Sequence, residues 1–311
     1  MRRTLLVFAT LLAASLLSGA AGWLMGPGVV HPLRRPLTPE LIRQADEAFR
    51  TLGATREDFE VRAADGVVLR GWQVRPRSPN GDWVLLFHGV SDNRVGMLGH
   101  AGLLLRNGYG VVMMDARAHG ASDGEIATYG WKEREDTRAI VAALYAAESV
   151  HCLFALGESM GGAIALQSAA EEPRVAGVVA ESAFSDLREV SYDYAGLSVT
   201  PWLGRTLFRP AVWTGIPRAE REGDFRADEV SPEKAVAARA FPVLLICGTA
   251  DRAIPPQHSQ RLYQAATGPK ELWLVPGAEH SAALGEAPEE FERRVVSFLR
   301  AIHSARELSA R

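Results

Sequence analysis

Six short and nearly continuous apolar runs limit most strongly how this chain can fold. In chain order they read DWVLLFHG, YGVVMMDARAHG, HCLFALGES, VAGVVAES, FPVLLICGTAD and ELWLVPGAEH. Strands that are apolar on both faces belong to parallel sheets, because helices cover such a sheet on each side and exclude water. The six runs therefore predict a buried parallel sheet.

The segments around these runs complete an α/β fold. Two alternating runs around Ala64-Asp65-Gly66 predict a β-hairpin before the first apolar run. A hairpin followed by alternating strands and helices predicts an eight-stranded, mostly parallel α/β sheet with helices on both faces, over residues 59–305. Apolar residues at helical spacing predict five of these helices, at Met97 to Arg106, Glu133 to Ala147, Ala163 to Glu171, Gln257 to Thr267 and Pro288 to Ile302.

Residues 185–240 interrupt this alternation, since they are rich in aromatic residues and contain no clear strand. The insertion precedes the strand that ends at Asp251, so we expect it to fold as a small helical cap over the edge of the sheet at which that strand ends. Tyr192, Trp202 and Phe208 are candidates for lining a pocket for an acyl or aromatic group. The alternative is that these side chains form the core of the cap and dock it to the sheet.

Residues 1–30 predict a membrane anchor or a signal segment. No charge occurs from Thr4 to Val30, and about 20 apolar residues suffice to cross a bilayer as a helix. Ser18-Gly19-Ala20 fits a signal-peptidase site, so secretion after cleavage is the alternative. The apolar run continues past that site through Trp23, which favours an uncleaved anchor.

The orientation of this anchor rests on its flanking charges. The basic pair Arg2-Arg3 before the apolar run resembles a signal anchor, which leaves the body of the protein outside the cytoplasm. Arginines also follow the run, at Arg34 and Arg35, so the positive-inside rule does not decide the orientation. Residues 31–58 are rich in proline and charge, and they predict a juxtamembrane linker with a short helix around Leu41 to Leu52.

Composition and charge exclude several classes of partner. The 311 residues carry a net charge of −3, and they contain no basic stripe with interleaved aromatic residues, so nucleic acid is not an expected partner. Cys152 and Cys247 lie in apolar runs without C-x-x-C spacing, which predicts two buried core residues. No histidine and cysteine spacing predicts a metal site, and we expect no cofactor. The oligomeric state does not follow from the sequence.

Two G-x-S-x-G motifs compete for the role of nucleophile, one around Ser122 and one around Ser159. A nucleophile elbow requires a strand that enters the motif and a helix that begins directly after it. HCLFAL precedes Ser159 and MGGAIALQSAA follows it with helical spacing, whereas the segment DGEIATYGW after Ser122 predicts a surface loop. The context therefore predicts Ser159 as the nucleophile.

A nucleophilic serine needs a histidine base and a carboxylate that holds this base. The last two apolar runs end in Asp251 and His280, and the order serine, acid, histidine suits this architecture. Asp186, just after the preceding run, is a competitor for the acid. We expect Glu279 to be a solvated loop charge.

Two backbone N–H groups are expected to stabilise the oxyanion. The group that follows the nucleophile belongs to Met160, and the loop after the third strand offers the N–H of Val90. His88 precedes this loop at the edge of the substrate pocket, and we expect it to orient the loop rather than to act as a base.

FHG, DARAHGASDG, GESMGG, PVLLICGTADRAIPPQHS and LVPGAEH, in this order, resemble the motifs of the α/β-hydrolase superfamily. More narrowly, HP, RRP, TPE and DGVVLRGW after an apolar terminus resemble a membrane-anchored serine esterase group, related to ABHD-type and prolyl-oligopeptidase-like hydrolases. The resemblance covers roughly residues 31–305. It implies that the HGASDG loop borders the active site without supplying the nucleophile.

These observations predict a serine hydrolase that cleaves carboxylic esters or thioesters through an acyl-enzyme, with a small-molecule or acyl compound as its substrate. A serine peptidase with the same triad is one alternative, because a fold does not determine a substrate. A catalytically idle membrane-bound scaffold is the other, although the intact set of Ser159, Asp251 and His280 argues against it.

Overall fold

A computed structural model describes residues 2–196 and 201–310. Its eight-stranded sheet has the order β1-β2-β4-β3-β5-β6-β7-β8. The pairs β1–β2 and β2–β4 are antiparallel, and every other pair is parallel, so the predicted mostly parallel sheet is confirmed. The strands are β1 Thr55–Arg62, β2 Val68–Arg75, β3 Trp83–Phe87, β4 Gly110–Met114, β5 Leu153–Glu158, β6 Val175–Glu181, β7 Val243–Gly248 and β8 Lys270–Val275.

Helices cover both faces of this sheet. Leu86 of β3 packs in one core layer with residues of α2, α3 and α12, and the neighbouring Leu85 packs in the opposite layer with residues of α4, α5 and α10. This alternation follows from the two-residue period of a strand. The helices are α1 Arg2–Val30, α2 Pro39–Thr51, α3 Leu98–Arg106, α4 Glu133–Ala147, α5 Met160–Glu171, α6 Leu187–Gly196, α7 Pro201–Gly204, α8 Arg209–Gly223, α9 Pro232–Ala238, α10 Gln257–Ala265, α11 Ala283–Glu286 and α12 Pro288–Ala310.

The segment expected to be a linker, residues 31–58, contributes to the folded domain. Strand β1 begins at Thr55, before the expected start at Phe59. In α2, Ala45 and Phe49 are buried, and the ring of Phe49 meets that of Trp72 edge-on at 6.3 Å between centroids. An apolar stripe on a short helix is stabilised by such packing, so α2 belongs to the core.

The insertion at residues 185–240 is helical in its described part, from α6 to α9. We call this insertion the cap; its residues 197–200 lie outside the described residues. Buried residues of α6 and α8, such as Val190 and Ile216, form a third apolar cluster that reaches Ala163 of α5. The cap therefore lies against the helix that begins directly after Ser159.

Helix α1 is long and apolar enough to cross a membrane, and only 6% of its most apolar window is buried. A signal sequence near the N-terminus has the same character. The end of α1 packs against the body of the protein, since Val30 is fully buried within the cap cluster. Its carbonyl accepts a hydrogen bond from the N–H of Ala127 at 2.9 Å.

Candidate active site

Ser159 lies in the turn that joins β5 to α5, at the carboxyl edge of the sheet. Its backbone has φ 53° and ψ −120°, a conformation that a residue other than glycine rarely adopts. A Cβ at Gly157 would lie 2.3 Å from the carbonyl oxygen of Gly161, and a Cβ at Gly161 would lie 2.1 Å from that of Phe87. Glycine at both positions is therefore what lets the strained turn close and present the serine hydroxyl.

The structure brings Ser159 together with the two side chains expected from the later strands. Nε2 of His280 lies 2.9 Å from Oγ of Ser159. Nδ1 of the same ring lies 2.9 Å from Oδ2 of Asp251. This is the geometry in which a neutral imidazole accepts the serine proton while a carboxylate orients the ring.

Backbone groups hold Asp251 and the loop that carries His280. Oδ1 of Asp251 accepts hydrogen bonds from the N–H groups of Ala253 and Ile254 at 3.0 and 2.8 Å, which leaves Oδ2 facing the ring. After His280, the N–H of Ser281 donates to Oγ of Ser182 at 3.2 Å. These contacts restrict the positions from which the imidazole can approach the serine.

The two competing residues have structural roles. Ser122 is fully buried, where its Oγ donates to the carbonyl of Asp115 at 2.7 Å and accepts from the N–H of Arg70 at 2.8 Å. Asp186 accepts the N–H groups of Arg188 and Glu189 at the start of α6, as a helix-capping aspartate does. Neither side chain therefore occupies the place of a nucleophile or of an acid beside His280.

The expected oxyanion loop lies directly beside the serine. A Cβ at Gly89 would lie 3.6 Å from Cβ of Ser159, so the backbone that leads to Val90 passes close to the nucleophile. Met160 opens α5 immediately after Ser159. The two expected donors thus lie on the two segments that flank the hydroxyl.

His88 contacts the backbone of the expected oxyanion loop. Its ring is buried, Nδ1 lies 2.8 Å from the carbonyl of Gly89, and Nε2 accepts the N–H of Ala116 at 3.0 Å. Burial lowers the pKa of His88 and favours the neutral ring that these two contacts require. The position agrees with an orienting role, because both ring nitrogens are occupied.

A cluster of His100, Glu158 and Glu181 beside the nucleophile was not anticipated from the sequence. One ligand atom from each residue lies within 4.8 Å of the others. Nε2 of His100 is 3.4 Å from Glu181, whose other oxygen accepts the N–H of Ala283 at 2.9 Å. Burial raises the pKa of Glu158 to about 7. The three residues come from three separate elements, so no sequence spacing could have revealed the cluster.

Two aromatic residues of the cap, Tyr192 and Trp213, contact each other. The hydroxyl of Tyr192 accepts a hydrogen bond from Nε1 of Trp213 at 3.2 Å. Trp202 is 67% exposed, and Phe208 is half-buried where α8 begins. Of the three expected pocket residues, Tyr192 packs against the third apolar cluster, as the alternative of a cap core expects, whereas Trp202 and Phe208 are not part of that cluster.

Comparison with known proteins places these features in a wider group. A model of the family described as serine aminopeptidase, S33, matches residues 78–229. The uncharacterised protein Rv2307c of Mycobacterium tuberculosis is 30% identical over 242 residues, which cover 77% of this chain and 75% of that protein. The uncharacterised protein YqkD of Bacillus subtilis is 29% identical over 259 residues, 81% of each chain.

Solved structures agree with this grouping. The esterase Pf2001 of Pyrococcus furiosus is similar with a TM-score of 0.69 and 26% identity, and the match covers 88% of this chain and 97% of the esterase. An α/β-hydrolase from a Penicillium species, GrgF, is similar with a TM-score of 0.64 and 20% identity, over 80% of this chain and 99% of that one. With the eight-stranded sheet, these similarities show that the chain belongs to the α/β-hydrolase superfamily.

Proposed function

We propose that the protein is a serine hydrolase that cleaves carboxylic esters or thioesters through an acyl-enzyme. The observation that carries this proposal is the pair of contacts that His280 makes. Its ring lies within hydrogen-bonding distance of Ser159 on one side and of Asp251 on the other, at 2.9 Å each. A hydrolase activity is already expected from the superfamily. The proposal adds the nucleophile and the type of bond that is cleaved.

In the proposed reaction, Nε2 of His280 takes the proton of Ser159 as Oγ attacks the carbonyl carbon of the substrate. The protonated ring then donates this proton to the leaving alkoxide or thiolate, and the acyl group stays on Oγ. A water molecule, deprotonated by the same ring, releases the acid and restores the serine. Asp251 stabilises the imidazolium in both halves of the reaction without accepting the proton itself.

The backbone N–H groups of Val90 and Met160 are proposed to bind the oxyanion of the tetrahedral intermediate. They come from the loop beside Gly89 and from the first residue of α5, on either side of Ser159. Preorganised donors of this kind contribute about 3 kcal/mol each to transition-state stabilisation. His88 supports this site because its ring bonds the carbonyl of Gly89 on one side and the N–H of Ala116 on the other, which holds the backbone at Gly89 in place.

An ester substrate is favoured because the similar Pyrococcus protein is named an esterase and shares 26% identity across most of this chain. The second candidate is a peptidase, which the match of residues 78–229 to the serine aminopeptidase family favours. Both reactions use the same triad. The difference must therefore come from groups that bind the substrate.

We further propose that α1 anchors the protein in a membrane, with the catalytic domain outside the cytoplasm. The support is an apolar helix of 29 residues that is almost entirely exposed along its most apolar window. Apolar side chains that are exposed to this extent are favourable in contact with lipid and unfavourable in contact with water. Cleavage as a signal segment is the alternative, and the mass of the mature protein distinguishes the two.

A fluorophosphonate probe tests the nucleophile. We expect the probe to label the wild-type protein and the Ser122→Ala variant, and to leave the Ser159→Ala variant unlabelled. The reason is that only Ser159 combines a turn at the sheet edge with a histidine at 2.9 Å. Labelling that persists in folded Ser159→Ala would refute the assignment.

A substrate panel tests the reaction type. It contains p-nitrophenyl esters and thioesters of short and long acyl chains, beside aminoacyl and peptide anilides. We expect turnover of the esters to exceed turnover of the anilides. The reverse order would replace the esterase by the peptidase.

A further inference from the structure

Helix α1 packs side by side with α8 of the cap, and the two helices run in the same direction. Gly19 lies beside Pro210 and Thr214, Gly22 beside Ala211, and Gly26 beside Gly215 and Arg218. A Cβ at Gly22 would lie 2.1 Å from the carbonyl oxygen of Ala211. Oγ1 of Thr214 donates to the carbonyl of Gly19 at 2.6 Å. Small residues thus let the two backbones approach closely.

The length of α1 relates this contact to a bilayer. The uncharged segment begins at Thr4 after Arg2 and Arg3, and about 20 helical residues are needed to cross the hydrocarbon. A span that begins at Thr4 therefore ends near Trp23. Because α8 begins beside Gly19 and Gly22, its first turn lies inside that span, about 6 Å below the edge of the hydrocarbon at 1.5 Å per residue.

The part of the cap at this depth exposes several large apolar side chains. We call it the cap tip: α7, the loop 205–208 and the first turns of α8, up to Trp213. Trp202 is 67% exposed, Trp213 is 56% exposed and Leu207 is 39% exposed. At its other end, α8 stops at Gly223, which lies beside the buried Val30. Helix α8 thus leads from the cap tip back to the body of the protein.

Two arginines of α8 stack on an aromatic ring at the level where the predicted span ends. The guanidinium groups of Arg218 and Arg221 lie over the ring of Trp23 at 5.1 and 5.7 Å, whereas Arg209, at the cap tip, lies over the ring of Trp213 at 4.9 Å. Tryptophan is enriched where the hydrocarbon meets the headgroups, and arginine extends its charge from there toward the phosphates. The ring of Trp23 therefore lies at the level at which the predicted span ends.

We propose that the cap tip inserts into the same bilayer leaflet as the emerging end of α1, so that the cap is a second membrane-binding surface of this protein. The inference rests on the proposed membrane anchor and not on the proposed chemistry. Lipid is the occupant because the exposed face of the cap tip continues the exposed apolar face of α1 without a break in helix packing. A layer of lipid that covers residues 19–23 of α1 must also reach the α8 turn that packs on them.

Environment-sensitive labels on the full-length protein in phosphatidylcholine and phosphatidylglycerol vesicles test the proposal. Leu207→Cys and Trp213→Cys carry a nitrobenzoxadiazole group on the cap tip; Leu16→Cys reports on the anchor, and Ser78→Cys, in the exposed loop before β3, reports on water. The native thiols do not compete for the label, because both Cys152 and Cys247 are buried and burial raises their pKa, that of Cys247 to about 12. Leu207 and Trp213 are exposed, so their substitution leaves the core intact.

We expect phospholipids with a doxyl quencher on the acyl chain to quench the labels at 207 and 213 as well as the label at 16. Aqueous iodide should quench only the label at 78. Quenching at 16 together with iodide quenching at 207 and 213 would overturn the cap proposal while the anchor stands. Labels at 207 and 213 that resist both quenchers would place a second copy on the cap tip and also overturn it. A water-exposed label at 16 would overturn the anchor and the cap proposal together.

Discussion

At the residue scale, two aspartates with similar positions in the sequence differ in their surroundings. Asp186 follows β6 and Asp251 follows β7, so both lie at the carboxyl edge of the sheet. Asp186 directs its carboxylate at the N–H groups that open α6, whereas Asp251 directs one oxygen at His280. The direction of each carboxylate therefore separates a helix cap from the proposed acid of the triad.

Replacing these aspartates one at a time tests that distinction. We expect Asp251→Asn to lower kcat for ester hydrolysis on the order of 10⁴-fold, because the imidazole loses the carboxylate that orients and stabilises it. Asp186→Asn keeps an oxygen for the helix cap, so kcat should stay close to the wild-type value. Steady-state kinetics on both variants, with circular dichroism to confirm folding, make the comparison. An inactive Asp186→Asn beside an active Asp251→Asn would place the acid on β6.

Glu158, next to Ser159, couples protonation to stability. Burial, as the largest cause, raises its pKa from 4.5 to about 7, and the nearby Glu181 adds to this increase. Between these two values the folded state holds a proton that the unfolded state has lost. The contribution of Glu158 to stability is therefore present below pH 4.5, falls as the pH rises, and is lost above about pH 7.

Glu158→Gln should remove this dependence. We compare the free energy of unfolding of the variant with that of the wild type. The difference, variant minus wild type, should be larger at pH 8 than at pH 4 by on the order of 3 kcal/mol. Urea unfolding at both pH values measures the difference. The exposed Glu279 supplies a matched control, since Glu279→Gln makes the same substitution outside the buried cluster. An equal effect of Glu158→Gln at both pH values would contradict the account.

At the scale of elements, the cap is attached to the sheet domain by a buried polar chain. Nδ1 of His258 in α10 lies 2.9 Å from Oγ of Ser185, and Nε2 lies 3.0 Å from Oδ2 of Asp193 in α6. The three residue types match those of the triad. However, Nδ1 also accepts the N–H of Ser185 at 3.1 Å, and Ser185 is fully buried. This chain therefore joins α6 to α10, and Ser185 has no access to a substrate.

The contact between α1 and α8 depends on a missing side chain. Gly22→Leu should separate the helices, because any Cβ at this position overlaps the backbone of Ala211. We expect faster amide hydrogen exchange across α8, measured by mass spectrometry on the protein in vesicles. Gly28→Leu is the control, since no atom lies within 4 Å of a Cβ built there. Unchanged exchange of α8 in Gly22→Leu would argue against close packing of the pair.

At the scale of the whole molecule, the sheet keeps the two cysteines apart. Cys152 directly precedes β5 and Cys247 lies near the end of β7, with β6 between these strands. Neighbouring strands are about 4.8 Å apart, so β5 and β7 are separated by about 10 Å. A disulfide requires about 4.4–6.8 Å between its two Cα atoms, which is less than this separation. We expect two free thiols even in an oxidising compartment. Mass spectrometry of a non-reduced digest measures this, and a linked peptide pair would contradict it.

Local patterns along the chain were sufficient to predict the sheet and to favour Ser159 over Ser122 as the proposed nucleophile. A strand buried on both faces must be apolar throughout, and a nucleophile elbow must have a strand before it and a helix after it, so both leave a readable pattern. Ser159 could therefore be distinguished from Ser122 by its neighbours in the sequence alone. The segment 31–58 could not be assigned in this way, because the burial of Phe49 depends on Trp72, far along the chain.

The sequence by itself determined the order of strands and helices, the position of the elbow and the apolar character of α1, because each depends on residues that are close in the chain. Only the tertiary structure decided that Asp186 caps a helix, that Glu158 lies beside His100 and Glu181, and that α8 lies along α1. These features are contacts between distant segments. Their free energy depends on burial and direction, which a sequence pattern does not contain.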